Sequence, residues 1–137
     1  MATRARIGNQ LDDNSVLSVY HHWDGYPQWL GRILKTHYNT REQVAELIDG
    51  GDMSSCWSDS IWGEGLSEGE YAPEYYSARG EDCPPRLDTI FEYLDKNNNE
   101  EYAYVWTVNN EWKAFDMNAF NDAKPESVEI PEGALAV

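Results

Sequence analysis

This sequence predicts an α+β fold: a single domain whose antiparallel sheet is built from an N-terminal and a C-terminal hairpin and covered on one face by about three helices. Three observations predict it. The run "VLSVYHHW" alternates like a strand and follows a short strand candidate, "TRARIG". Apolar residues between Leu30 and Ile48 recur at helical spacing. A late aromatic run, "EYAYVWTVNNEWKAFDM", alternates around an asparagine pair. At 137 residues the chain is long enough for one core and too short for two, so 1–137 is one domain.

The elements follow in order. "TRARIG" (Thr3 to Gly8) is closed by the turn-rich "GNQLDDNS", and the next strand places Val16, Ser18, Tyr20 and His22 on one face and Leu17, Val19, His21 and Trp23 on the other. Asp24-Gly25 breaks that strand, and Pro27 suits the first turn of a helix. Leu30, Ile33, Leu34, His37 and Tyr38 then keep helical spacing to about Asn39. "TREQ" (Thr40 to Gln43) is a capping-box pattern for a second helix with Val44, Leu47 and Ile48 as its apolar stripe, ended by Gly50-Gly51.

Residues 52–86 form a long, acidic, aromatic-rich and irregular segment with a short helix expected around Ser58–Trp62. A loop of that length in a compact domain usually carries function. Leu87, Ile90, Phe91 and Leu94 fall at i, i+3, i+4 and i+7, which predicts a third helix over 86–94. In the late hairpin, Tyr102, Tyr104, Trp106 and Val108 share a face, with Asn109-Asn110 as a two-residue turn. Residues 124–137 are a tail with one brief strand.

Charge narrows the function. The net charge is −15, with six acidic and five basic side chains in residues 1–50 (−1) and nineteen acidic against five basic in 51–137 (−14). A field of that sign repels phosphate backbones, which disfavours direct binding of nucleic acid and favours proteins with basic grooves. No apolar run is long enough to span a membrane, and "MATRARIG" lacks the apolar stretch of a signal peptide, so membrane insertion and secretion are not expected.

Catalytic and metal signatures are not found. His21 and His22 are adjacent in a strand and point to opposite faces, so they do not share an ion with Asp24 easily, and His37 lies on the next helix. Cys56 and Cys83 have no metal, redox or nucleophile spacing. There is no phosphate-cradling glycine loop and no nucleophile elbow. The chain reads as a non-enzyme with no catalytic residue, no metal and no cofactor.

Two groups of residues read as binding sites. Trp62, Glu64, Glu68, Glu70, Tyr71, Glu74 and Tyr75 interleave carboxylates with aromatics, a composition suited to anchoring a polar protein interface. Trp23, Tyr26, Trp29 and Arg32 cluster at a strand-to-helix corner, where Arg79 and also Arg4, Arg6 and Arg41 could add cationic groups; aromatic faces with a guanidinium stack a base or grip a planar anion. The plainer alternative is that Trp and Tyr close the junction between sheet and first helix with Arg32 exposed, the reading preferred for Trp23 and left open for Tyr26 and Trp29.

The blocks "TRARIG", "HWDGYP" (His22 to Pro27), "HYNTREQVAELIDGGDMSS", "SARGED" and the aromatic hairpin together resemble a family of small accessory proteins encoded by tailed bacteriophages and some bacteria. The resemblance covers most of the chain, and residues 22–27 are its most specific part. It brings no reaction or cofactor, so no catalytic residue is carried over. What it implies is a viral protein made in the host cytoplasm and acting on host or host-defence machinery. Two functions follow as expectations. The first is an acidic inhibitor that occupies the basic, nucleic-acid-binding groove of such a protein. The alternative is a protein that sequesters a small nucleotide signal at the Trp23/Tyr26/Trp29/Arg32 corner.

Overall fold

A computed structural model describes residues 3–12, 14–56, 74–81, 83–95, 100–118 and 124–130. Its elements are β1 (Ala5–Gln10), β2 (Ser15–His21), a wide π-type turn (Pro27–Gly31), α1 (Arg32–His37), α2 (Arg41–Asp49), β3 (Met53–Ser55), β4 (Glu74–Tyr75), a 3-10 turn (Tyr76–Arg79), β5 (Arg86–Thr89), α3 (Ile90–Tyr93), β6 (Tyr102–Trp106), β7 (Trp112–Asp116) and β8 (Glu126–Val128). The strands form one sheet in the order β4-β3-β2-β1-β6-β7-β8. β5 and β3 share one edge of β2: β5 pairs with its first half, β3 with its last residue.

The α+β class holds, and the sheet is mixed rather than purely antiparallel. The two expected hairpins, β1–β2 and β6–β7, are antiparallel within themselves. They join through β1 and β6, which run parallel with Ile7 opposite Tyr104, and β2 pairs with β3 in parallel as well. Alternation along a strand fixes which side chains are buried and is silent about the direction of the neighbour.

Helices cover both faces, not one. On the first face α1 and α2 bury Ile33, Leu34, Val44, Leu47 and Ile48 against Ile7, Val19, Tyr104 and Trp106. On the second, Tyr93 of α3 packs with Val16, Ala103, Val105 and Met117, and its hydroxyl donates to the Tyr104 carbonyl at 2.6 Å. The period-2 pattern thus sorts the strands as expected, Val16 and Ser18 to one face, Val19 and His21 to the other.

The helix predicted over 86–94 divides. Arg86–Thr89 is strand, and helix begins only at Ile90, because Thr89 and Glu92 form a reciprocal capping box that starts it there. At α2, Thr40 accepts from the Gln43 amide, while the Gln43 side chain accepts from Asn39 rather than Thr40. The β6–β7 turn also differs. It spans three residues, 108–110, with only Asn110 at positive φ, the form that ends a type I turn with one left-handed residue. The 52–86 segment is not wholly irregular, since β3 and β4 lie within it, and the tail contributes β8 to the sheet edge.

Candidate functional site

The "HWDGYP" block is a tight corner. Asp24 takes a positive φ of 49°, and Gly25 passes so close under β1 that a Cβ there would lie 2.6 Å from the Thr3 carbonyl oxygen and 2.7 Å from the Ala5 Cβ. The buried Tyr104 hydroxyl donates to the Gly25 carbonyl at 2.6 Å, and Pro27 opens the helical segment. Packing therefore accounts for these residue types. Trp23 is 45% exposed, its ring edge-on to His22 at 4.6 Å, so it does not close the junction. Trp29 packs on the core instead. Tyr26 and Arg32 are half-buried, and Arg79 ends the 3-10 turn.

Basic side chains are drawn inward. Arg6 is buried, with Nε donating to Ser18 Oγ at 3.0 Å and a nitrogen 3.7 Å from the Glu100 carboxylate. Burial pushes the Glu100 carboxyl up and Arg6 opposes the shift. Arg41 ties α2 to the sheet end, donating to Asn9 Oδ1 and to the Thr107 carbonyl, each at 2.6 Å. Arg4 pairs with Glu101, and Arg86 with Asp88. Lys113 and Lys124 are exposed, and the Arg4 and Arg86 side chains are each 40% exposed. Against them stand the exposed carboxylates of Asp12, Glu42, Glu46, Asp49, Glu81, Glu92, Asp95, Glu111, Glu126 and Glu129.

Two cavities flank the end of α1. The first, about 460 Å³, lies between α1 and the β7–β8 edge and is lined by Lys35, Trp112, Lys113, Ala114, Ser127, Val128, Glu129 and Ile130. The second, about 490 Å³, lies between α2 and β4 and is lined by His37, Tyr38, Gln43, Glu46, Leu47, Asp49, Gly50 and Tyr75. Trp112 donates its indole N–H to the Tyr38 carbonyl at 2.8 Å and so links the two. A shallower cavity lined by Cys83 and Pro84 shares Asp49 and Gly50 with the second.

The second cavity has fixed walls. Tyr75 donates its hydroxyl to the Leu47 carbonyl at 2.7 Å, and Tyr38 donates to the Cys56 carbonyl at 3.1 Å. Burial pushes the Tyr75 phenol up to about 12, with nearby Cys56, Glu46 and Asp49 adding to the shift. Burial also lowers His37, which favours its neutral form. Behind Tyr38, the Cys56 amide donates to Nε2 of buried His21 at 3.1 Å, so the imidazole carries its proton on Nδ1. Burial, with His22 beside it, pushes His21 down to about 3.

Of the residues expected at a protein interface, Tyr75 lines the second cavity and Glu74 lies beside it in β4; Trp62, Glu64, Glu68, Glu70 and Tyr71 lie outside the described residues. Trp23, Tyr26, Trp29 and Arg32 are not among the described residues lining the three cavities. Glu46 and Asp49 were not foreseen, although Gln43, Glu46 and Gly50 fall at i, i+3 and i+7 on one stripe of α2. Lys35, Trp112 and Lys113 come together from distant parts of the sequence. Among the described residues, no group of three or more His, Cys, Asp or Glu side chains is placed to hold a metal ion, and no helix is long and apolar enough to cross a membrane.

No protein-family model matches the chain, and neither a curated protein nor a solved structure matches it.

Proposed function

We propose that this protein is a non-enzymatic, acidic viral accessory protein that works in the host cytoplasm by binding a host or host-defence protein and occupying its basic, nucleic-acid-binding groove. One observation carries the reading: ten acidic residues are exposed among those whose exposure is described, against Lys113, Lys124 and the 40% exposed side chains of Arg4 and Arg86. Arg4, Arg6 and Arg86 are paired with carboxylates of the fold itself, and Arg41 is tied to Asn9 and the Thr107 carbonyl. Exposed Trp23 and Phe91 supply apolar contact beside the carboxylates. The resemblance of the "HWDGYP" and flanking blocks to phage accessory proteins supplies the viral context.

The test is recovery of the tagged protein from host lysate at low salt, followed by native mass spectrometry. A bound protein released by added salt and displaced by double-stranded DNA is the expected result. Capture that is indifferent to both would overturn the reading.

The first cavity favours a second reading, a small planar anion. Lys35 and Trp112 line it together, an aromatic face with a cation, although Glu129 lines it too. A nucleotide panel that raises the melting temperature of the wild type but not of a Lys35→Gln variant would support it.

A further inference from the structure

We infer that the second cavity, between α2 and Tyr75, takes a lysine or arginine side chain of the protein partner. The inference rests on the acidic-binder reading for the nature of the partner, and on the cavity itself for the chemistry.

Four features of the cavity select a cation. Glu46 and Asp49 are exposed carboxylates on its wall, and no lysine or arginine is among the described residues lining it. The cavity opens at the C-terminal end of α2, where the helix dipole favours positive charge. His37, lowered by burial, brings little opposing charge near neutral pH. The tyrosines complete the selection. Both hydroxyls are already committed to backbone carbonyls, so Tyr38 and Tyr75 offer a ligand chiefly their rings, and a ring face attracts ammonium and guanidinium groups. Leu47 and the rings suit an aliphatic stem, with the carboxylates at its charged tip. An anion or a nucleotide would meet two carboxylates and a helix C-terminus, so the cavity discriminates against anions.

Gly50 shapes the floor. It sits at φ −71°, a value open to any residue, yet a Cβ there would overlap the Tyr75 ring. The ring therefore lies directly over the backbone at the helix end, close to both carboxylates.

The experiment is an amide NMR titration of the full chain with N-acetyl-lysine methylamide and N-acetyl-arginine methylamide, with uncharged N-acetyl-norleucine methylamide as the isostere. The cationic probes should shift Leu47, Gly50 and Tyr75 saturably, and norleucine should not. Glu46→Gln/Asp49→Asn, at two exposed positions, should weaken the cationic probes about five-fold, on the scale of two exposed charge contacts. Glu42→Gln, on α2 but outside the cavity, should leave them unchanged. Equal shifts with norleucine, or full affinity in the double variant, would overturn the inference. Salt-dependent retention on immobilised polylysine, measured alongside, separates the two readings. Retention without probe binding sinks the cavity and leaves the acidic binder standing. Probe binding without retention sinks the acidic binder as a surface property and leaves a cation site.

Discussion

The two cavities beside α1 are close in size and opposite in character. One has Lys35 beside an indole, with Glu129 also on its wall, and the other has Glu46 and Asp49 beside two phenol rings. A single short helix separates them, with Lys35 facing one and His37 and Tyr38, at its end, lining the other. The Trp112 hydrogen bond to the Tyr38 carbonyl joins their walls. The contrast teaches that net charge does not set every local surface: a chain at −15 still presents one cavity with a lysine on its wall, because position along a helix sorts charges more finely than composition does.

The cavities also differ in what stands behind them, and acid should expose this with the largest effect. Tyr38 is held by the Cys56 carbonyl, and the Cys56 amide by neutral His21. His21 is held near 3 when folded against an ordinary value of 6.5, so the unfolded chain binds the extra proton between those values. Stability is therefore full above pH 6.5 and falls as the pH drops towards 3, by about 1.4 kcal/mol per unit at most. Urea unfolding at pH 7 and pH 3.5 should differ by about 4 kcal/mol from this group alone. In parallel, amides around Tyr38 should broaden before those around Lys113. An imidazole resonance of His21 that titrates near 6.5 would break the distinction.

Trp112→Ala comes next. It removes a wall of the first cavity, the edge-on partner of Trp106 at 5.5 Å and the link to Tyr38. Because Trp112 is half-buried, the loss should lie at the low end for a tryptophan truncation, about 3 kcal/mol in chemical unfolding. Trp112→Phe keeps most of the packing and loses the hydrogen bond, so about 1 kcal/mol is expected. Equal losses from the two variants would assign the whole effect to the hydrogen bond.

How much of this was legible varies with the range of the signal. Helix α2 was readable because its cap and apolar stripe are local, and so was the burial of β2. The 86–94 helix was misread for a physical reason. Leu87 and Phe91 keep helical spacing yet are 63% and 82% exposed, so that stripe buries nothing along half its length. The Thr89/Glu92 box was the better signal. The parallel join of β1 and β6 has no local signature. In the second cavity, Tyr75 was singled out by composition and Glu46 and Asp49 were visible only as a polar helix face. Nothing local brings β4 onto that face: the contact is made through β3, which carries β4 from the edge of β2.

Gly50→Ala should give the smallest change in stability and the sharpest change in the comparison. Alanine is a better helix-end residue than glycine for the unfolded chain, and φ −71° admits it without backbone strain, so backbone effects alone would favour the variant by about 0.5 kcal/mol. The new methyl, however, must displace the Tyr75 ring, and overpacking of this kind costs about 1–3 kcal/mol. The ring is only half-buried and sits on the short β4 strand, so it can move outward and the low end applies, leaving a net loss of about 1 kcal/mol. Moving outward breaks the Tyr75 bond to the Leu47 carbonyl and opens one wall of the negative cavity. The first cavity shares no residue with this change. Lysine-probe binding should therefore fall while any nucleotide-induced shift around Trp112 is kept, and a variant that loses both would show the two cavities to be one coupled site.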